Sequence, residues 1–210
     1  MKNIFISLAA VLALANASET TKKMGCVLVQ SNNLNVSWIA YKTLGKVGVG
    51  GKFTSINYVP HALEGKNFRE LFVGSKVSID LSKIDTNNKG RDETLVKEFF
   101  SLLEGKTIEG EIVNIQKTDK HKKGKPRTGI VFVKLTMNEK TLTIPMNYIY
   151  IDGNFNAIGT IDLLDFSANA ALTSINKSCY DLHKGKTWSD VSISFSTTVE
   201  ATLCHVNIKK

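Results

Sequence analysis

Between Ile130 and Leu164 the chain reads IVFVKLTM (Ile130–Met137), NEK (Asn138–Lys140), TLTIPMNYIYI (Thr141–Ile151), DG (Asp152–Gly153) and NFNAIGTIDLL (Asn154–Leu164). Val131, Val133, Leu135 and Met137 alternate with Ile130, Phe132, Lys134 and Thr136, the period of a strand with one buried face. Asn138-Glu139-Lys140 is a tight connection into the run Leu142–Ile151. Asp152-Gly153 is a two-residue hairpin signal, because both positions tolerate positive φ, and Asn154–Leu164 is the return strand.

The same period extends outward in both directions. Leu34, Val36, Trp38 and Ala40 form one phase, followed by Val47, Val49, Gly51 and Phe53, where the glycines suit a bent or closely packed strand. Val77, Ile79 and Leu81 form another, and Ile108, Ile112 and Ile115 share a run whose phase changes near Val113, as at a bulge. Val191 to Leu203 is the last and longest alternation. About eight strands joined by short turns predict a mainly β chain, a sandwich or barrel, and an eight-stranded antiparallel barrel is wide enough to hold one small ligand. Two segments switch to helical spacing. In Arg91–Leu103 the residues Leu95, Phe99, Leu102 and Leu103 share a face; in Ala168–Lys184 the stripe is Leu172, Ile175, Cys179 and Leu182, with Ser167 as N-cap and Gly185 as stop.

A chain of 210 residues with 42% hydrophobic and 22% charged residues is suited to one folded domain. Lys2, the apolar run Ile4–Ala15 and the small-x-small site Ala15-Asn16-Ala17 have the layout of an export signal cleaved after Ala17. The expected organisation is therefore signal peptide 1–17, polar leader 18–25 and barrel domain 26–210, with a periplasmic destination. Export makes nucleic acid a poor partner despite the net charge of +8. No nucleophile elbow, phosphate-cradling glycine loop or metal-spaced histidine set occurs, so neither an enzyme nor a metal site is expected.

Three stretches resemble the YceI-like family: Lys46–Phe53; Val77–Asp80 through Ile84-Asp85-Thr86-Asn87 into Gly90-Arg91-Asp92-Glu93-Thr94-Leu95; and Gly159–Leu163 with Asp165-Phe166. The resemblance runs from about Leu34 to Leu203. It implies a lipocalin-like barrel of eight antiparallel strands with two short helices, exported, binding a polyisoprenoid or another long-chain amphiphile. The helical stretch Ala168–Lys184 departs from the family pattern and would cap or narrow one mouth. No cofactor beyond a bound isoprenoid or other lipid is expected, while membrane-surface contact and a homodimer stay open.

On this reading the wall residues are Val36, Trp38, Val49, Phe53, Val77, Ile79, Val133, Leu135, Ile193 and Phe195, with Phe99 and Leu103 facing the same space from the first helix. Arg91 would meet a headgroup or, equally, fix a turn with Asp92. The run Lys117, Lys120, His121, Lys122, Lys123, Lys125 and Arg127 reads foremost as a solvated hairpin tip. A protein that binds an anionic surface or partner through that loop is the alternative function. The cysteines are Cys26, Cys179 and Cys204. If the first and last strands pair antiparallel, Cys26 and Cys204 come together as a disulfide; a pairing of Cys179 with either is the rival.

Overall fold

The computed structural model describes residues 26–118 and 125–203. In chain order the strands are β1 (Cys26–Gln30), β2 (Asn35–Lys42), β3 (Val47–Phe53), β4 (Ile56–Val59), β5 (Glu64–Gly65), β6 (Lys76–Asp80), β7 (Ile84–Asp85), β8 (Thr107–Lys117), β9 (Arg127–Met137), β10 (Lys140–Ile151), β11 (Asn154–Asp162) and β12 (Thr187–Leu203). The helices are α1 (Phe68–Phe72), α2 (Lys89–Glu98), α3 (Asn169–Ser178) and α4 (Tyr180–His183), with a 3₁₀ turn at Phe100–Leu102.

All twelve strands join one curled antiparallel sheet ordered β4-β6-β8-β9-β10-β11-β12-β2-β3-β7, with β1 on the far part of β12 and β5 on β1. Its end strand β4 follows directly in the chain on β3, the strand next to the opposite end. Only Thr54 and Ser55 separate β3 from β4, and the Thr54 and Asp80 amides donate across this bend to Lys83 and Ser55 carbonyls. The expected eight-stranded closed barrel is thus corrected to a twelve-stranded curled sheet. The bend divides one extended run into two strands, and β5 and β7 are each two residues long, too short for any period to be read.

The turn chemistry follows the residues. Asn138, Glu139, Asp152 and Gly153 all take positive φ, giving the two tight hairpins β9–β10 and β10–β11. The register of β8 against β9 shifts between Ile112 and Asn114, which places the bulge at Val113. Lys184 and Gly185 end α4 with positive φ. Ser167 is not the cap of α3: it sits one position earlier at φ 56°, and Ala168 occupies the cap without a side-chain bond. The expected helix 168–184 breaks at Cys179 into α3 and α4. Leu102, expected on the buried stripe, is 48% exposed, because the helix tightens into the 3₁₀ turn before reaching it.

The two ends of the sheet differ. At one end α1 acts as a plug, with Phe68, Leu71 and Phe72 buried. The Phe68 ring meets Tyr148, Tyr150 and Phe155 edge-on at 5.0–5.8 Å, and Phe72 meets Phe155 at 4.6 Å. Gln30 ties the plug down, donating to the Leu71 carbonyl and accepting from the Tyr58 hydroxyl. The opposite end is covered by α2, α3 and α4. There the Thr86 amide and hydroxyl donate to Asp92, Arg91 donates to the Thr86 hydroxyl and carbonyl oxygens, and Ser174 of α3 donates to Glu98 of α2.

β1 lies antiparallel on the end of β12, and Cys26 faces Leu203 in register. The first strand therefore starts where the last one ends. Cys204, the other half of the expected disulfide, lies outside the described residues, as do the expected signal peptide, the leader and most of the basic run; Cys179 is a free thiol.

Candidate ligand cavity

A cavity of about 390 Å³ lies between the curled sheet and the helices at the end opposite the aromatic plug. The sheet contributes inward positions: Trp38, Ala40 and Lys42 of β2, Val49 and Phe53 of β3, Ile108, Met137, Ile161, Val191 and Ile193. The helices contribute Leu95, Phe99, Leu172, Ile175, Cys179 and His183. A second gap of about 70 Å³ is lined among others by Val36, Val77, Ile79, Val133, Leu135 and Phe195. Among the described residues Ile193 alone lines both.

Each wall residue expected from the sequence can therefore be placed. Trp38, Val49, Phe53, Arg91 and Phe99 border the larger cavity; Val36, Val77, Ile79, Val133, Leu135 and Phe195 border the smaller; Ile193 borders both. Leu103 is buried in the core away from either. The structure thus divides into two spaces what the strand period presents as one wall.

Arg91 touches the cavity, yet its Nε and Nη2 donate to Thr86 while Asp92 holds that same threonine, so the pair latches the turn before α2. Gly51 faces Trp38 in register, and a Cβ there would come within 2.7 Å of the indole, so the glycine is what lets the ring lie flat against β3. The buried Trp38 Nε1–H finds no acceptor among the described residues. The Cys179 thiol is pushed up by burial.

The rim holds residues the sequence reading passed over. Lys42 continues the Trp38–Ala40 phase one step further, a signal visible in the sequence but ended there by its charge. Trp188 donates its Nε1–H to the Thr43 carbonyl at 2.7 Å, with Lys46 and Lys186 stacked over its ring at 4.9 and 4.6 Å. His183 Nδ1 lies 2.7 Å from the Thr187 hydroxyl, which itself donates to Asn176 at 2.8 Å. Burial first, and then Lys42, holds the His183 imidazole below its ordinary value. By contrast, Arg127, at the start of β9, belongs to the plugged end, where it lies over Phe68 and Tyr150.

Among the described residues no group of three or more metal-ligating side chains is gathered. A family model described as the YceI-like domain matches residues 29–199. Similar solved structures include Burkholderia cenocepacia BcnA, with 16% identity, a TM-score of 0.54, and 80% of this chain and 96% of that one covered. A polyisoprenoid-binding domain from Saccharophagus degradans gives 12% identity, a TM-score of 0.55, and 84% and 98% coverage. At these identities the likeness establishes the fold. A search of curated proteins returned no match.

Proposed function

We propose, from the premise that this chain belongs to the YceI-like family, that it binds the tail of a long-chain apolar amphiphile in the cavity beneath its helices. The chain acts as a non-enzymatic carrier or store in the periplasm, after export and cleavage behind Ala17. The observation that carries the reading is the cavity itself, about 390 Å³ and walled by Trp38, Val49, Phe53, Phe99, Leu172 and Ile193. Such a volume falls within the usual range for small-molecule pockets.

Size constrains the ligand. At about 30 Å³ per water-sized group, 390 Å³ has room for roughly a dozen heavy atoms. This suits a short tail, or the terminal stretch of a polyisoprenoid whose remainder stays at the rim. Roughly ten buried methylenes contribute ~8 kcal/mol, which is on the order of the ~4–15 kcal/mol that association costs. The tail alone therefore gives weak binding, and contacts at the rim set the affinity.

The test is organic extraction of protein freshly purified from the periplasmic fraction, followed by mass spectrometry, with titration of prenyl and alkyl amphiphiles into stripped protein. The expected result is a co-purifying amphiphile and a mature chain beginning at Ser18. Empty protein that takes up none of the added amphiphiles overturns the reading. For the alternative, a basic loop binding an anionic surface or partner, Lys120, His121, Lys122 and Lys123 lie outside the described residues, and the flanking Arg127 stands at the plugged end, over Phe68 and Tyr150.

A further inference from the structure

We infer that Lys42 and His183 form an anion subsite at the rim of the cavity, which takes the negatively charged headgroup, a carboxylate or phosphate ester, of the bound amphiphile. This rests on the reading that the cavity takes the tail, and adds what the head must be.

The first observation is where Lys42 sits. It is the third residue of an inward phase, Trp38–Ala40–Lys42, and lines the same cavity as the other two. It is half-buried. An ammonium at the edge of an apolar cavity is stabilised most by a counter-charge brought beside it. Among the described residues none stands there. The ion pairs there are Lys46–Asp190, Lys52–Asp85 and Lys97–Glu98, so the neighbouring Lys46 has a carboxylate at 2.6 Å and Lys42 has none within 4.0 Å.

The second observation is the composition of the whole lining. It contains Lys42 and Arg91 but no aspartate or glutamate. Arg91 is occupied by Thr86. Among the described residues the lining therefore carries positive charge and no carboxylate; the nearby Glu98 of α2 is taken up by Lys97 and Ser174, and the cation not engaged by the wall is at the rim, where the exposed Leu182 marks the way out. A neutral amphiphile leaves that charge uncompensated; an anionic head with its tail inward compensates it.

The third observation is His183. The Thr187 hydroxyl has a single proton and gives it to Asn176, so at the 2.7 Å contact the His183 Nδ1–H is the donor. This fixes the ring, and Nε2 is the nitrogen left for a ligand. Thr187 faces Lys42 in register and His183 lies against Thr187, so the two groups share one corner of the rim, where Lys42 adds to burial in depressing the imidazole. An anion beside Lys42 cancels that influence and favours a proton on Nε2, giving a second charged donor.

The experiment titrates stripped full-length chain with dodecanoate, dodecyl phosphate, dodecanol and inorganic phosphate by calorimetry, in wild type, Lys42→Gln and Lys42→Arg. The expected result is that wild type binds both anionic amphiphiles about ten-fold or more tighter than dodecanol. Lys42→Gln removes that preference while leaving dodecanol affinity within about two-fold, and Lys42→Arg retains it. Stripped Lys42→Gln protein unfolds at no lower a temperature than wild type; a structural role for Lys42 gives a fall. Equal binding of dodecanoate and dodecanol by wild type overturns the subsite, and so does a Lys42→Gln loss that is the same for both. Inorganic phosphate binding as tightly as the amphiphiles replaces the headgroup subsite with a free-anion site. If no amphiphile binds at all, it is the tail cavity that fails.

Discussion

Ile193→Ala is the substitution that most directly tests whether the two internal spaces limit ligand length. Among the described residues Ile193 alone lines both the 390 Å³ cavity and the 70 Å³ gap. Truncation removes Cγ1, Cγ2 and Cδ1 from the partition between them. The added room is the gap, about 70 Å³, plus the volume of those atoms, enough for about four or five further methylenes at ~30 Å³ each. Each methylene newly buried contributes ~0.8 kcal/mol, so tails longer than the wild-type optimum should gain roughly ten-fold in affinity for every two carbons until the space is full. The cost in stability is at the low end of the Ile→Ala range, about 2 kcal/mol, because Ile193 is only partly buried. The assay is competition by a homologous series of fatty carboxylates from eight to about twenty carbons, with urea unfolding alongside. The optimum should move up by about four carbons. An unchanged optimum in a folded variant that still binds refutes the idea that Ile193 divides a continuous interior.

Three further outcomes follow from the same geometry. Gly51→Ala should lose about 1–3 kcal/mol in urea unfolding and weaken tail binding, because the new Cβ drives the Trp38 indole off β3; unchanged unfolding and binding would show the ring has free space. Phe68→Ala should cost about 3–5 kcal/mol by emptying the plug against Tyr148, Tyr150 and Phe155, while cavity binding persists at temperatures where the variant is folded; a loss under about 1 kcal/mol would mean the plug is dispensable. His183 has a depressed folded value, so the unfolded chain takes up its proton first: stability of ligand-free protein should fall as pH drops below about 6.5 and level off below the folded value. His183→Gln should flatten that slope, and a slope unchanged by the substitution would assign it to another group.

The sequence carried the strand content, the two tight hairpins, the bulge at Val113 and the helical stretches, because each rests on nearest-neighbour chemistry: two-residue alternation, positive φ at Asn138, Asp152 and Gly153, and side-chain spacing of one helical turn. It also carried the apolar identity of the walls. What it could not carry was how those walls are shared out. Val36 and Trp38 stand in the same phase of the same strand, yet one borders the small gap and the other the large cavity. Which of them meets empty space depends on what arrives from α1 at one end and from α2, α3 and α4 at the other.

Sequence by itself determined that this chain folds as a mainly β protein with an apolar interior, since periodicity is a local property that each strand displays without its partners. Tertiary structure alone decided that the interior is plugged at the Phe68 end and hollow at the other, and that Lys42 stands at the rim with no carboxylate within 4.0 Å among the described residues. Charge compensation and empty volume are properties of groups far apart in the chain: Lys42 is half-buried without a counter-ion only because β2, β12, α3 and α4 converge there and none of them brings a carboxylate within 4.0 Å of it.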